Sequence, residues 1–378
     1  MNTLLLAIMA AALVALLVLL LFPRRHGEEG EAQASEDARV SPLLRGINYL
    51  LSDQPDRALQ EMVQVARLRS EAADVYMALG EMFRARGEYG RAVRIHQNLL
   101  ARPGLSPEMK RAAQYALAVD FQTGGLLDRA LKQYRKLLEL EPDHVPALKA
   151  SLRIREQSHE WLEAEALLSR LEQVQNRSYH EHRAYLFAQM AEKCLRDGDD
   201  EQAGTYARKA IELAPGCAPA CFVLIELALR DGRWPDAERM MRSLAEHNRE
   251  HFPLVVPLLL RFEQVYRDKG RALLMEIWRD THDEELALSW LEHVGAADRQ
   301  QARALLDELG FKPANLRARL RVEAVFEDER NPIFARAWRR QVNNYICEQC
   351  GVGVKELRWQ CPQCHAWGSM HPQKGDIA

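Results

Sequence analysis

A short pattern of charge, glycine and alanine returns along this chain at a fixed distance: RDGDDEQA at Arg196 to Ala203 comes back as RDGRWPDA at Arg230 to Ala237, 34 residues later. Such a period constrains folding more than composition does, because each unit must bury its apolar side against the next. The closing alanine recurs at Ala58, Ala92, Ala130, Ala164, Ala203 and Ala237, with separations of 34, 38, 34, 39 and 34. Five residues before four of these stands a glycine: Gly87, Gly125, Gly198 and Gly232. Nine residues before three of them stands an aromatic (Tyr49, Phe83, Phe121), and Pro142 and Pro215 follow two of them by twelve. These residues specify a helical hairpin. Alanine lets a second helix lie close against the first, glycine makes the turn, and proline stops the second helix.

The period and these small, aromatic and proline positions resemble the tetratricopeptide repeat, which implies an α-solenoid with a protein- or peptide-binding face. The longer separations are expected as loop insertions, RPGLSPEMK and QVQNRSYHE. From about Phe252 to Phe334 the pattern stays helical but less regular, and one helix should end at LGFKP with Gly310 as cap and Pro313 beyond. Cys194 takes the aromatic's place in its repeat and is expected as a buried core thiol. Cys217 and Cys221 stand four apart with no second pair, so both are expected to pack rather than ligate. His180 to His182, HEH, is expected in the inserted loop without a catalytic partner.

The uncharged run Thr3 to Phe22 is long enough to cross a bilayer, and Arg24 and Arg25 after it place the following chain on the cytoplasmic side. The expected organisation is a transmembrane anchor over 1–23 and a flexible acidic linker over 24–40. A repeat solenoid follows over 41–340, then a metal module over 341–372 and a tail over 373–378. With 51 basic against 54 acidic residues the net charge is -3, so a nucleic-acid partner is disfavoured; RAWRRQ at Arg336 to Gln341 is expected as helix surface. No P-loop, H-E-x-x-H, G-x-S-x-G or dinucleotide glycine pattern occurs, and the chain is not expected to be an enzyme.

Near the C-terminus stands YICEQCGVGVKELRWQCPQCHAW. In a reducing compartment, two C-x-x-C pairs point to metal rather than disulfides. Cys347, Cys350, Cys361 and Cys364 form a closed tetrahedral S4 set that suits one zinc or one iron ion. Tyr345, Trp359 and Trp367 are expected to shield that metal. CEQCG and CPQCH resemble the rubredoxin knuckle pair, departing at His365, where the second knuckle would carry glycine; His365 is expected as a surface residue tolerated in the turn.

The whole order, an all-α tetratricopeptide-repeat solenoid between an N-terminal transmembrane helix and a rubredoxin-like module, resembles the lipopolysaccharide assembly protein B family of Gram-negative bacteria. That resemblance implies a non-catalytic adaptor on the cytoplasmic side of the inner membrane. Its implied partners are the membrane-bound ATP-dependent protease FtsH, the lipid A deacetylase LpxC, and other lipopolysaccharide synthesis and export proteins. A homodimer would suit a repeat protein. The alternatives are a membrane-tethered scaffold for envelope synthesis without a proteolytic role, and a metal- or redox-sensing regulator.

Overall fold

The computed structural model describes residues 73–327 and 344–373, with scattered positions between 45 and 61. The expected anchor, the linker and the RAWRRQ segment lie outside the described residues. Among the described residues no helix is long and apolar enough to cross a membrane. The chain divides into two compact units, 1–147 and 148–378.

The described chain is mostly helical and built of hairpins: α1 (Ala73–Ala85) with α2 (Tyr89–Leu100), α3 (Pro107–Thr123) with α4 (Leu127–Leu140), and α5 (Val145–Gln157) followed by α6 (Trp161–Gln175). Then come α7 (His180–Asp197) with α8 (Asp200–Leu213), and α9 (Ala218–Arg230) with α10 (Trp234–His247). The repeat alanines explain the pairing, since Ala92, Ala130, Ala164, Ala203 and Ala237 are all fully buried. The turns are equally uniform. Gly87, Gly125, Gly198 and Gly232 adopt φ between 70° and 82°, a left-handed conformation that costs an L-residue about 1–2 kcal/mol. The residue after each closes the first helix by donating its N–H to the carbonyl five residues back, Glu88 to Phe83, Leu126 to Phe121, Asp199 to Cys194 and Arg233 to Ala228. The α5–α6 turn makes the same bond, Glu160 to Arg155, and there His159 holds the left-handed position at φ 57°.

The two insertions are not all loop. Ser106 caps α3 by accepting from Met109 N–H, and Pro107 opens the helix, so SPEMK is its first turn. In the second insertion α6 runs on to Gln175, and Asn176 ends it at φ 46°. His180 to His182 is therefore not in a loop; it forms the first turn of α7.

Within the first unit Tyr76, Leu79, Phe83, Ile95 and Leu99 make the core. Beside it a buried Asp120 accepts from Arg84 Nη1 at 2.9 Å and pairs with the buried His96. In the second unit the helices lose their regular length after α10. A 3-10 helix (Arg249–Leu254) leads into α11 (Val255–Leu260), and an irregular stretch through Gly270 feeds α12 (Arg271–Thr281). The last helices among the described residues are α13 (Glu284–Ala297), α14 (Arg299–Leu309) and α15 (Leu316–Phe326). Gly310 ends α14 at φ 58°, the cap expected there. Trp290 is fully buried and donates to Tyr266 Oη at 2.7 Å, while Arg321 bridges Glu285 and Glu292 at 2.6–2.9 Å.

Candidate metal centre

Three short strands carry the four-cysteine segment: β1 (Tyr345–Cys347), β2 (Gly353–Val354) and β3 (Met370–Pro372), in the order β2-β1-β3 and antiparallel throughout. Tyr345 faces Val354 on one side of β1, and Cys347 faces Met370 on the other. Each C-x-x-C makes the same turn: Gly351 N–H returns to Cys347 O at 2.8 Å and His365 N–H to Cys361 O at 3.0 Å. Gly351 sits at φ 74° and His365 at φ 60°. The second knuckle thus keeps the glycine conformation without the glycine, and the His365 carbonyl is held by Gln360 Nε2 at 3.3 Å.

These turns bring the four sulfurs together. Cys347 Sγ lies 3.7 Å from Cys364 Sγ, Cys350 Sγ lies 3.6 Å from Cys361 Sγ, and all four fall within 4.8 Å of one another. Four sulfurs set tetrahedrally about 2.3 Å from one ion would be about 3.8 Å apart, close to the spacing of these two pairs, so the quartet suits a single metal ion. Among the described residues no other His, Cys, Asp or Glu group of three or more is gathered this way.

The thiols also differ as acids. Burial pushes the Cys347 thiol up, but Ser369 and the N–H groups of Cys350 and Gln349 outweigh it and hold the thiol at about 6. The Ala366 N–H draws Cys364 down, while burial and crowding by Cys361, Cys347 and Cys350 push it up to about 12. One proton leaves easily and another is retained against like charge, so full ionisation of the set calls for a central cation.

The aromatics divide. Tyr345 packs at the quartet with Val352, Val354 and Leu357 around Cys347, Cys361 and Met370. Trp359 and Trp367 do not shield the metal as expected; they face the repeats. Trp367 stacks on Tyr185 of α7 at 5.7 Å and 23°, meets Trp161 edge-on at 6.1 Å, and donates to Glu156 Oε1 of α5 at 3.2 Å. Trp359 lies 6.1 Å from Phe222 of α9 and 5.3 Å from His251. Burial pushes the Glu192 carboxyl up, and hydrogen bonds from Gln189 and Trp359 offset part of that. Gln360 Nε2 reaches Glu156 Oε2 at 3.0 Å, and His182 pairs with the same carboxylate. Behind β3, the buried His251 contacts Met370 O at 3.0 Å and Asn248 Oδ1 at 2.7 Å. At Gly368 the two surfaces come so close that a Cβ would stand 2.4 Å from Tyr185 Oη.

The other cysteines take no part. Cys217 and Cys221 are buried, and burial pushes both thiols up to about 12; Cys194 is half-buried rather than fully enclosed. Sequence reasoning missed Glu156, Tyr185, His251 and Gly368. The first three read as ordinary helix residues far from the cysteines; only Gly368, directly after Trp367, carried a local signal of close backbone approach.

The rubredoxin metal binding domain family matches residues 345–372, and the tetratricopeptide repeat family matches residues 75–108. Lipopolysaccharide assembly protein B of Haemophilus influenzae is 27% identical over 350 residues, covering 86% of this chain and 88% of that protein. The protein of the same name from Escherichia coli K12 is 24% identical over 367 residues, covering 91% and 93%. A solved tetratricopeptide repeat protein from Parabacteroides merdae covers 71% of this chain at 14% identity, with a TM-score of 0.32, too distant to place any side chain.

Proposed function

We propose that this chain, which belongs to the lipopolysaccharide assembly protein B family, is an inner-membrane adaptor that limits lipopolysaccharide synthesis by presenting the LpxC-type lipid A deacetylase to an FtsH-type protease. Residues 1–23 tether it, with the bulk of the chain in the cytoplasm, and the linker over 24–40 lets the repeats over 41–340 reach partners at the membrane. Tethering raises local concentration, so a modest affinity for each partner suffices. No catalytic step is assigned to the chain; its part is to hold two proteins together.

The observation that carries this reading is the seating of the four-cysteine module on the repeats, across α5, α7 and α9. Cys347, Cys350, Cys361 and Cys364 are the ligands in this reading, and zinc or iron bound there supplies the folding energy that so small a module lacks. The metal is structural: it holds the module, and the module holds the shape of the repeats.

The test is the half-life of the deacetylase in the native bacterium with the chain present and depleted. A longer half-life on depletion, restored by the intact chain but not by Cys347→Ser with Cys350→Ser, supports the reading. An unchanged half-life refutes the proteolytic role and leaves a scaffold for envelope synthesis.

A further inference from the structure

The contacts beneath the module repeat. Trp367 places its indole N–H on a carboxylate of α5, Glu156, and its ring on an aromatic of α7, Tyr185. Trp359 lies against an aromatic of α9, Phe222, and its indole holds down part of the burial-raised pKa of a carboxylate of α7, Glu192. The two carboxylates are 36 residues apart and the two aromatics 37, close to one repeat. The solenoid thus offers two alike pockets in series, each an acceptor on one first helix and a ring on the next. Glu156 is buried, and its donors are an indole, an amide and His182. Such pockets suit aromatic N–H groups, and the spacing sets how far apart two of them must stand.

We propose that these pockets form a binding site for a tryptophan-bearing segment of a partner protein, held shut by the chain's own metal module and opened when that module leaves. The partner's chemistry is set by the resident: indole N–H donors for Glu156 and Glu192, and flat apolar rings for Tyr185, Trp161 and Phe222. The gate is the quartet. Strands of two and three residues cannot hold together without it, so metal loss frees both tryptophans at once and bares an aromatic face fit for a partner. By linkage, an occupant that displaces the module also loosens the metal by the same factor.

The inference rests on the quartet holding metal, so bound metal in the purified full chain is first counted by plasma mass spectrometry. The probe is a fluorescein-labelled peptide of residues 358–368 carrying Cys361→Ala and Cys364→Ala, which keeps the tryptophan spacing but binds no metal. Its anisotropy is read against the full chain before and after chelation, with proteolysis of the module as the release signal. Binding at least about tenfold tighter after chelation, and lost again in Glu156→Ala, is the expected result. Equal binding before and after a chelation that releases the module would overturn the proposal, as would binding indifferent to Glu156→Ala, or a module that stays protected without metal. If no metal is found, the metal reading fails by itself, and the full chain carrying Trp359→Ala with Trp367→Ala decides on the pockets: the peptide binds it, or the site is refuted.

Discussion

Substituting Gly368 by alanine tests the seating of the module most directly. Two costs are separable there. Gly368 adopts φ 63°, where an L-residue costs about 1–2 kcal/mol. The new methyl would also stand 2.4 Å from Tyr185 Oη, 2.8 Å from Cζ and 2.9 Å from Cε2, an overlap with a ring already fixed by Trp367, and overpacking of this kind costs about 1–3 kcal/mol. Gly368→Ala should therefore lose about 2–5 kcal/mol. Gly351→Ala is the internal control: it sits at φ 74° with nothing within 4 Å of its Cβ, so it should lose only the backbone share. The assay is urea unfolding of the metal-loaded chain followed by tryptophan fluorescence, since Trp367 and Trp359 report the interface. Adding Tyr185→Ala to Gly368→Ala should return the overlap but not the backbone cost, giving a coupling of about 1–3 kcal/mol. Equal losses in the two glycine variants, or no coupling to Tyr185, would refute a module packed this way.

Three further outcomes follow from the geometry. His365→Gly should stabilise the metal-loaded module by about 1 kcal/mol, because it relieves a left-handed residue that bonds to Cys361 and Gln360 through its backbone; thermal unfolding checks it, and a lower midpoint would contradict it. Burial lowers the His251 pKa, with Met370 O and Glu250 opposing and His371 assisting, so the folded chain takes up its proton later than the unfolded one. Stability from this group is complete above pH 6.5 and is lost as pH falls below it, by at most about 1.4 kcal/mol per pH unit; His251→Gln should flatten that slope in urea titrations run across pH 5 to 8. Asp120→Ala strands Arg84 and His96 beside an emptied site and should cost about 3–5 kcal/mol by thermal unfolding; a loss below 1 kcal/mol would mean the network is relieved by water.

The hairpins were legible because their signal is local. An alanine that must be buried and a glycine that must turn left-handed both appear within a few residues of where they act, and Ala164 was read correctly although its turn carries His159 instead of glycine. The insertions misled, since extra residues read as loop while Ser106, Pro107 and Asn176 turn them into helix ends. The gathering of four sulfurs followed from knuckle spacing. The direction of the tryptophans did not, because a tryptophan near a cysteine has the same sequence signature whether it covers the metal or leans away from it. What decided it, Glu156 and Tyr185, lies more than 170 residues upstream of Trp359.

A stack of repeats ordinarily melts like a zipper, each unit answering only to its neighbours. The module breaks that rule here, because one body touches α5, α7, α9 and the 3-10 helix at once, through bonds that join residues 204 and 211 positions apart. Fraying from either side must then lift the same keystone, so as long as the module is seated the repeats from Glu156 to His251 should open in one step. Synthesis imposes an order on that step. The keystone leaves the ribosome after the repeats it covers, and until it does they exist only as a zipper.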